Sequence, residues 1–476
     1  LLLAVFSIAT TFSLYAQREV PQERMEQIYE EVKTPYKYGL AVAPADNYHK
    51  IDCPTVFRQG DKWLMTYVVY NGKGGTDGRG YETWIAESDN LLEWRTLGRV
   101  LSYRDGKWDC NQRGGFPALP DMEWGGSYEL QTYKGRHWMT YIGGEGTGYE
   151  AVKAPLYVGL AWTKGDISTA HEWESLDKPI LSIHDKDAQW WEKLTQYKST
   201  VYWDKDKTLG APFVMYYNAG GRHPETDLKG ERVGIALSKD MKTWKRYSGN
   251  PVFAHEADGT ITGDAHIQKM GDVYVMFYFS AFEPSRKYKA FNTFAASYDL
   301  VHWTDWKGAD LIIPSKNYDE LFAHKSYVVK HDGVVYHFYC AVNNAEQRGI
   351  AIATSKPMGR SAVRFPVPES KNRRQIMTLN EGWKTWITEA THLKGNFMMP
   401  AKTVNIPHNW DDYYGYRQLT HGNLHGTAMY VKDFTADVKS GKRYFLRFDG
   451  VGTYATITVN GKDFGRHPIG RTTLTL

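Results

Sequence analysis

Cysteine is scarce in this sequence, which also has no block of basic residues and no metal-ligand pattern. The three cysteines in 476 residues (Cys53, Cys110 and Cys340) are odd in number and far apart, so they indicate buried small side chains and no disulfide framework or metal site. A net charge of +4 without a Lys/Arg cluster argues against nucleic acid as a partner. No cofactor is predicted, because the Gly-x-Gly stretches lack the strand-then-helix context of a phosphate-binding loop.

A long apolar run is also missing. Residues 1–16 (LLLAVFSIATTFSLYA) are apolar and uncharged but too short for a membrane-spanning helix, so no membrane span is predicted. They are typical of the hydrophobic part of a secretory signal peptide whose Met and basic start are absent. The sequence therefore predicts a partial signal peptide at 1–16, a charged N-terminal segment with one helix at 17–39, and a secreted or periplasmic location.

Aromatic residues, in contrast, are abundant. They make up 14% of the chain, with 17 Trp and 33 Tyr. Such a surplus suits β-rich folds and also suits sugar binding, in which the C–H faces of a sugar stack on aromatic rings. We attribute most of these residues to packing between sheets.

One phrase recurs five times along the chain. An aromatic–Met–aromatic strand is followed by a segment close to Ala-x-Ser-x-Asp-Leu-x-x-Trp, and Met65, Met139, Met215, Met276 and Phe338 mark the register. The steps between them are 74, 76, 61 and 62 residues. Units of four strands at this period are typical of propeller blades, since a single blade cannot bury its own faces. The prediction is an all-β protein with a five-bladed β-propeller at 40–355. The Ser, Asp and Trp of the phrase are predicted to close a strand turn, with no chemical role.

The sequence pattern changes after the fifth repeat. Residues 356–376 are rich in Pro, Lys and Arg, as in a linker. Residues 377–476 alternate like strands and contain Asn460-Gly461, a strong hairpin turn. They predict a small β-sandwich of the jelly-roll type, truncated at an unfinished strand, so that the chain is predicted to be a fragment of a longer protein.

The repeats resemble the five-bladed propeller glycoside hydrolases of the arabinanase, invertase and anhydro-galactosidase type, similar to family 43. The resemblance rests on the blade phrase and on Asp52-Cys-Pro54 at the start of blade one, with similar strand starts at Asp264 and at His324-Lys325. In that fold the Asp at the first position is the general base or the nucleophile. The resemblance therefore implies a glycosidase in which Asp52 is catalytic.

The C-terminal segment resembles the sugar-binding jelly roll that precedes the barrel in family 2 glycoside hydrolases. The residues that carry this resemblance are Leu379–Trp383, Val404–Trp410, Phe448–Val451 and Val459–Pro468. The catalytic barrel of that family is absent from the sequence. The resemblance thus implies that any activity of this chain lies in the propeller.

Glycoside hydrolysis uses two carboxyl groups, one to protonate the leaving oxygen and one to attack carbon or activate water. Inner strands of a propeller begin at the central pocket, and counting back from the register residues gives Asp52, Asp264 and Lys325. Glu192, in a Trp-rich stretch, and Glu129 are the candidates for the general acid or for a group that tunes the acid's pKa. The Glu-Gly-Pro that carries the acid in arabinanases is missing, so His324 stays an alternative acid.

The remaining candidates are predicted to bind substrate. Asp264 and His266 are expected to bind sugar hydroxyls, and a Gly-rich loop is expected to bring three side chains over the pocket rim. The predicted substrate-binding residues are Arg79, Glu82, Trp84, Trp191, Lys198, Asp264, His266, His324 and Lys325.

Two functions remain open from the sequence. The first is a secreted, exo-acting glycoside hydrolase that removes a terminal sugar from a plant or algal polysaccharide. The alternative is a non-catalytic glycan-binding protein with an inactive propeller. Two carboxyl groups facing one pocket would favour the enzyme. A protein-interaction scaffold is not supported, because the WD40 and kelch signatures are missing.

Overall fold

The computed structural model of the chain divides into two compact units, residues 1–370 and residues 371–476. Strands dominate both of them, as the sequence predicts. The predicted signal peptide at 1–16 lies outside the described residues. The structure describes residues 19–72, 78–150, 154–367, 376–390, 400–409, 426–438, 443–452, 454–467 and 474–475.

The first unit begins with the single predicted helix, α1 (Gln22–Val32), followed by β1 (Tyr36–Val42). Met25, Ile28 and Val32 recur at helical spacing and are buried against strands of the fourth and fifth blades. Among the described residues no helix combines the length and apolarity needed to cross a bilayer. The segment before residue 40 was predicted to lie outside the propeller, but β1 is one of its strands.

In the described part of this unit, the strands form three four-stranded antiparallel sheets and one eight-stranded sheet, in which a parallel pair between Glu231 and Ile261 joins two antiparallel groups of four. Each group of four strands is called a blade below. Blade one comprises β2 (His49–Gln59), β3 (Lys62–Asn71), β4 (Gly80–Ser88) and β5 (Arg95–Leu101). Blade two comprises β6 (Gln112–Pro117), β7 (His137–Gly144), β8 (Tyr157–Thr163) and β9 (Glu174–Ser175). Blade three comprises β10 (Thr195–Trp203), β11 (Phe213–Arg222), β12 (Lys229–Ser238) and β13 (Trp244–Arg246), after a 3-10 turn at Trp190–Glu192.

Blade four comprises β14 (Ile261–Met270), β15 (Val273–Ala281), β16 (Ala290–Ser297) and β17 (Thr304–Asp305). Blade five comprises β18 (Phe322–His331), β19 (Val334–Val342) and β20 (Arg348–Thr354), and β1 pairs with β20 as its outer strand. The ends of the unit are thus tied together in one sheet. Residues 356–367, predicted as the start of a linker, follow this sheet, and Ser361 bonds to the backbone of β1.

The predicted repeat corresponds to the second strand of each blade. All five register residues lie there and are fully buried between neighbouring blades. The Ser-x-Asp turn is confirmed as a hydrogen-bonded cap: Asp240 Oδ1 accepts from the N–H groups of Lys242 and Thr243, and the Trp244 indole donates to Met241 O. In blade one the equivalent cap is Asn90.

The innermost strands of four blades share a bulge near their start. The register shifts by one residue between Asp52 and Thr55, between Gln196 and Ser199, between Gly263 and His266, and between His324 and Tyr327. A bulge leaves residues unpaired and re-aims their side chains. The first unpaired residues are Cys53, Tyr197, Asp264 and Lys325, and all four line one pocket.

The second unit contains short strands. β21 (Trp383–Ala390) pairs with β22 (Lys402–Val404) on one side and with β23 (Gly426–Val431) on the other, and β24 (Arg447–Phe448) pairs with β27 (Leu474–Thr475). β25 (Ala455–Val459) and β26 (Lys462–His467) form a hairpin. Its turn is the predicted Asn460-Gly461, with positive φ at both residues.

Candidate active site

A pocket of about 160 Å³ lies where the five blades meet. Every blade contributes to its wall, from Cys53 of blade one to Arg348 of blade five. Part of the wall is apolar, formed by Phe116, Ile142, Ile261, Phe279, Phe282 and Phe322. The polar part contains the carboxylates Glu150, Glu231 and Asp264 and the cations Lys198, Lys325 and Arg348. A concave, largely apolar wall with a few converging charged groups is typical of a ligand site.

Glu231 lies near the start of β12 and lines this pocket. Its Oε2 accepts a hydrogen bond from Asn218 Nδ2 at 3.0 Å. Burial, together with the negative charge of Glu150, raises the pKa of Glu231 to about 8. Glu231 is therefore protonated at neutral pH and can donate a proton to a bound ligand.

Glu150 also lines the pocket, but its surroundings differ from those of Glu231. It follows Tyr149 in the middle of the loop between β7 and β8, in the left-handed region at φ 57°. Lys325 Nζ donates to its Oε1 at 3.2 Å, and 37% of the Glu150 side chain is exposed. Glu150 thus contacts an ammonium group, whereas Glu231 accepts from a neutral amide, so the two carboxyl groups of this pocket have different electrostatic environments.

Asp52 is completely buried beneath this pair. Its Oδ2 accepts from Lys325 Nζ at 2.9 Å, from Arg348 Nη1 at 3.4 Å and from the Tyr149 hydroxyl. Burial alone would raise the pKa of Asp52, but the charges of Lys325 and Arg348 outweigh it and hold the pKa well below its usual value. Asp52 is thus a permanent anion, and it fixes the position of Lys325 between two carboxylates.

Asp264 and Lys198 form a second pair in the pocket. Lys198 Nζ is 3.6 Å from Asp264 Oδ2, which is too long for a hydrogen bond. Both side chains are more than nine-tenths buried, and neither atom has a hydrogen-bond partner among the described residues. The Asp264 N–H donates to Asn218 Oδ1 at 3.3 Å, so Asn218 connects this pair to Glu231.

The two predicted histidines lie at different depths. His324 lines the pocket and its Nδ1 is 3.3 Å from Cys340 O, while burial lowers its pKa to about 3. Such a neutral imidazole is a weak candidate for a general acid. His266 does not line the pocket: it stacks on Tyr327 at 3.8 Å, and its Nδ1 accepts from Val328 N.

One group of potential metal ligands lies next to the pocket. The ligand atoms of Asp52, His324 and Cys340 lie within 4.8 Å of one another. Lys325 and Arg348 already pair with the Asp52 carboxylate, and their two positive charges oppose a further cation. The donor set therefore does not fit a metal ion well.

The position of Glu192 corrects its assignment as the general acid. Glu192 is buried in the 3-10 turn outside the pocket, where its Oε1 pairs with Arg246 Nε at 2.6 Å. Its Oε2 accepts from Gln196 Nε2 and from the Tyr217 hydroxyl. Both oxygens are occupied by structural partners, so none is available to a ligand.

The other predicted residues also lie outside the pocket wall. Glu129 is exposed and forms a bridge with Arg58 of β2, and Trp191 is packed in the core of blade three against Tyr217. Arg79 bonds to Asn111, and Glu82 pairs with Arg99 Nη1 at 3.0 Å beside Trp84. Residues 73–77 of the predicted rim loop are outside the described residues. Only Lys198, Asp264, His324 and Lys325 of the predicted binding residues line the pocket.

Sequence reasoning missed Glu150 and Glu231 because it considered only the starts of the innermost strands. Glu150 lies in the loop before β8, and Glu231 lies in β12, the third strand of blade three.

Comparisons with known proteins identify the class to which the molecule belongs. No family model and no curated protein matches the sequence. Two solved structures, one a complex of BT0996 with RGII and the other named "Glycoside hydrolase", are each 96% identical to the present sequence, cover 74% of it, and match with a TM-score of 0.73. A thermostable family-43 glycoside hydrolase matches at 17% identity over 69% of this sequence and 99% of its own, with a TM-score of 0.46. Since the match covers 100% of both nearly identical relatives, the protein belongs to the glycoside hydrolases, as its sequence predicted.

Proposed function

We propose that the protein is an exo-acting glycoside hydrolase that removes one terminal sugar from a glycan, with Glu231 as general acid and Glu150 as the second carboxyl group. The observation that carries this proposal is the opposite environment of the two groups in one pocket. The pKa of Glu231 is raised to about 8, whereas Glu150 contacts the Lys325 ammonium. Separated protonation states of two carboxyl groups are the requirement of acid and base in this chemistry.

In the proposed reaction, Glu231 gives its proton to the glycosidic oxygen as the bond to the anomeric carbon breaks. The Glu150 carboxylate stabilises the positive charge that develops on the sugar, and it either attacks the anomeric carbon or removes a proton from the attacking water. Lys325 orients Glu150, and Asp52 keeps Lys325 in place. Asp52, predicted from the sequence as the base, has in this proposal a positioning role.

The exo mode is supported by the size of the site. A pocket of about 160 Å³ is small beside the several hundred Å³ of typical ligand sites, and suits a single sugar unit at the end of a glycan. Its aromatic wall, including Phe116 and Phe322, suits the C–H faces of a sugar. One 96% identical relative is named in complex with RGII, and we propose that glycan, called the RGII glycan below, as the substrate.

Two further parts of the proposal concern the rest of the molecule. The propeller carries the activity, since all proposed site residues lie in the first unit, and the C-terminal unit is related to the sugar-binding domain of family 2 enzymes. Secretion or export to the periplasm is proposed from the apolar residues 1–16.

The test is product analysis with the RGII glycan as substrate. The wild-type protein should release one monosaccharide, with no larger fragment at early times. Glu150→Gln and Glu231→Gln should each lower turnover by about three orders of magnitude while the melting transition is retained. Release of internal fragments would contradict the exo mode, and full activity in either variant would contradict its role.

Glu129→Gln is the control variant for these two substitutions. Glu129 was one of the catalytic candidates predicted from the sequence, but it is exposed outside the pocket. The same chemical change should therefore leave turnover of the RGII glycan unaltered. A large loss in Glu129→Gln would return the acid role to the residue predicted from the sequence.

A further inference from the structure

The pair of Lys198 and Asp264 is the least explained feature of the pocket. Lys198 is 3% exposed and Asp264 is 4% exposed, yet neither Lys198 Nζ nor Asp264 Oδ2 has a hydrogen-bond partner among the described residues. Buried polar atoms are nearly always hydrogen-bonded, because an unpaired buried group costs about 1–3 kcal/mol. Both groups line the pocket, so the missing partner must approach from inside it.

The chemistry of the pair defines that partner. Lys198 Nζ only donates hydrogen bonds, and Asp264 offers the acceptor Oδ2; burial raises the pKa of Asp264, and the adjacent Lys198 ammonium opposes that rise. At a separation of 3.6 Å, a single hydroxyl group between them can accept from the lysine and donate to the aspartate, and two neighbouring hydroxyl groups can do the same separately. An anionic group at this edge would face the Asp264 carboxylate, and a cationic group would face the Lys198 ammonium. The pair therefore selects an uncharged edge bearing hydroxyl groups.

The surrounding contacts hold the pair rigidly toward the pocket. Asp264 is the first unpaired residue of the bulge in β14, at φ 56°, and its N–H donates to Asn218 Oδ1. The Lys198 ammonium is 5.4 Å from the centre of the Phe116 ring, which forms part of the apolar wall. Through Asn218 Nδ2 the same amide also binds Glu231, the proposed acid. A hydroxyl group bound by the pair is thus held in a fixed relation to the acid.

We propose that Lys198 and Asp264 form a hydroxyl clamp that selects the terminal sugar by an uncharged, hydroxyl-bearing edge. This inference rests on the proposed function, since it names the part of the sugar to which the same site binds. It is also a statement about specificity: a site built to hydrogen-bond a hydroxyl group rejects an analogue without it by several orders of magnitude.

The experiment uses Lys198→Met and Asp264→Asn. Met keeps the length of the side chain without the donor, and Asn keeps the shape of Asp and tolerates the positive φ at position 264. Lys62→Met and Asp89→Asn are matched controls, since Lys62 and Asp89 form an ion pair on the surface of blade one. With the RGII glycan, each pocket variant should lower kcat/KM by about 100-fold, mainly through KM, and the controls should not. Thermal melts of all four proteins verify folding.

A structural role would weaken all ligands alike, so the deciding readout is discrimination between ligands. The monosaccharide that the wild-type enzyme releases and its monodeoxy derivatives serve as competitive inhibitors. Against the wild-type enzyme, at least one deoxy derivative should bind about 100-fold more weakly than the parent sugar. Against Asp264→Asn or Lys198→Met that difference should shrink to a few-fold. Unchanged discrimination in both variants would overturn the clamp.

Calorimetric titration of the RGII glycan into the Glu231→Gln protein, with and without each clamp substitution, separates this inference from the proposed function. Weaker binding in the clamp variants supports the clamp even if the wild-type protein hydrolyses nothing, in which case only the proposed function fails. Equal binding with and without the substitutions overturns the clamp while leaving hydrolysis intact. The absence of any binding to the Glu231→Gln protein also overturns it.

Discussion

Two glutamates, one just before blade three and one within it, have opposite environments: Glu192 is fully buried, and Glu231 is half-buried at the pocket. Glu192 is surrounded by donors: Arg246, the Gln189 backbone, Gln196 and Tyr217 occupy both of its oxygens. Glu231, in the pocket, receives a hydrogen bond from the neutral amide of Asn218 and faces the negative charge of Glu150. The difference shows that burial alone does not make a carboxyl group functional, because a nearby guanidinium compensates the desolvation of the carboxylate.

The outer side and the pocket side of blade three also differ in how their charged groups are paired. On the outer side Arg246 also binds Asp185 and Asp187, so that charges are matched locally and the loop before β10 is anchored. On the pocket side, Lys198 Nζ and Asp264 Oδ2 have no hydrogen-bond partner among the described residues. Buried groups without such partners reduce stability, a cost that natural proteins accept most often where function requires it.

The largest expected effect is on catalysis at Glu231. Glu231→Gln should lower kcat on the RGII glycan by about 10³-fold or more, because an amide cannot donate the proton that the leaving oxygen needs. An aryl glycoside of the released sugar with a good leaving group should suffer much less, because its leaving group needs little protonation. Glu192→Gln should show no such asymmetry between the two substrates. Equal losses of Glu231→Gln on both substrates would contradict the acid role.

The second effect is the pH dependence of stability. The pKa of Glu231 is about 8 in the folded protein against an ordinary value of 4.5, so the folded state binds the proton more tightly than the unfolded state. The stability that this proton contributes is complete below pH 4.5 and is lost as the pH rises through 8, by an amount on the order of 5 kcal/mol. Glu231→Gln removes this loss. Its melting temperature should therefore exceed that of the wild-type protein at pH 9 and match it at pH 5; parallel curves would refute the protonation state.

A smaller effect is expected at Glu192, with the opposite sign. Glu192→Gln removes the charge that pairs with Arg246, whose side chain is only 1% exposed, and should lower the free energy of unfolding by about 2 kcal/mol. Asp185 and Asp187 retain part of the charge balance. Urea unfolding at pH 7 measures the change. A Glu192→Gln protein as stable as wild type would mean that the ion pair does not anchor the loop.

Much of the scaffold was predictable, because it depends on a pattern that repeats. The buried aromatic–Met strands and the hydrogen-bonded turns recur at a nearly constant period, and the inner strand starts at Asp52, Asp264 and Lys325 follow from it by counting. Propeller geometry brings such starts to one axis, and Asp264 and Lys325 line the pocket there.

The acid could not be predicted in this way. The surroundings of each glutamate depend on a residue that is distant in the sequence. Arg246, 54 residues along the chain, pairs with Glu192, and Glu150 from another blade helps to raise the pKa of Glu231. Such partners are set by tertiary contacts and leave no local signal in the sequence. The sequence analysis began the propeller at residue 40 and so left most of β1 outside it. The reason is similar, because β1 pairs with β20 of blade five, which lies at the other end of the unit in the sequence.

The smallest expected effect tests whether the bulge in β14 sets the geometry of the site. A Cβ added at Gly263 would lie 2.6 Å from Asn218 Nδ2, so Gly263→Ala must displace the amide that binds both the Asp264 N–H and Glu231. We expect kcat to fall about tenfold, because small misplacements of positioned groups are costly in catalysis. Gly220→Ala, in β11 of blade three, is the matched control, since its Cβ would meet only ordinary contacts at 3.5 Å or more. If both alanine variants keep wild-type kcat, Asn218 does not transmit the shape of the bulge to the proposed acid, and the contrast between the two glutamates rests on charge alone.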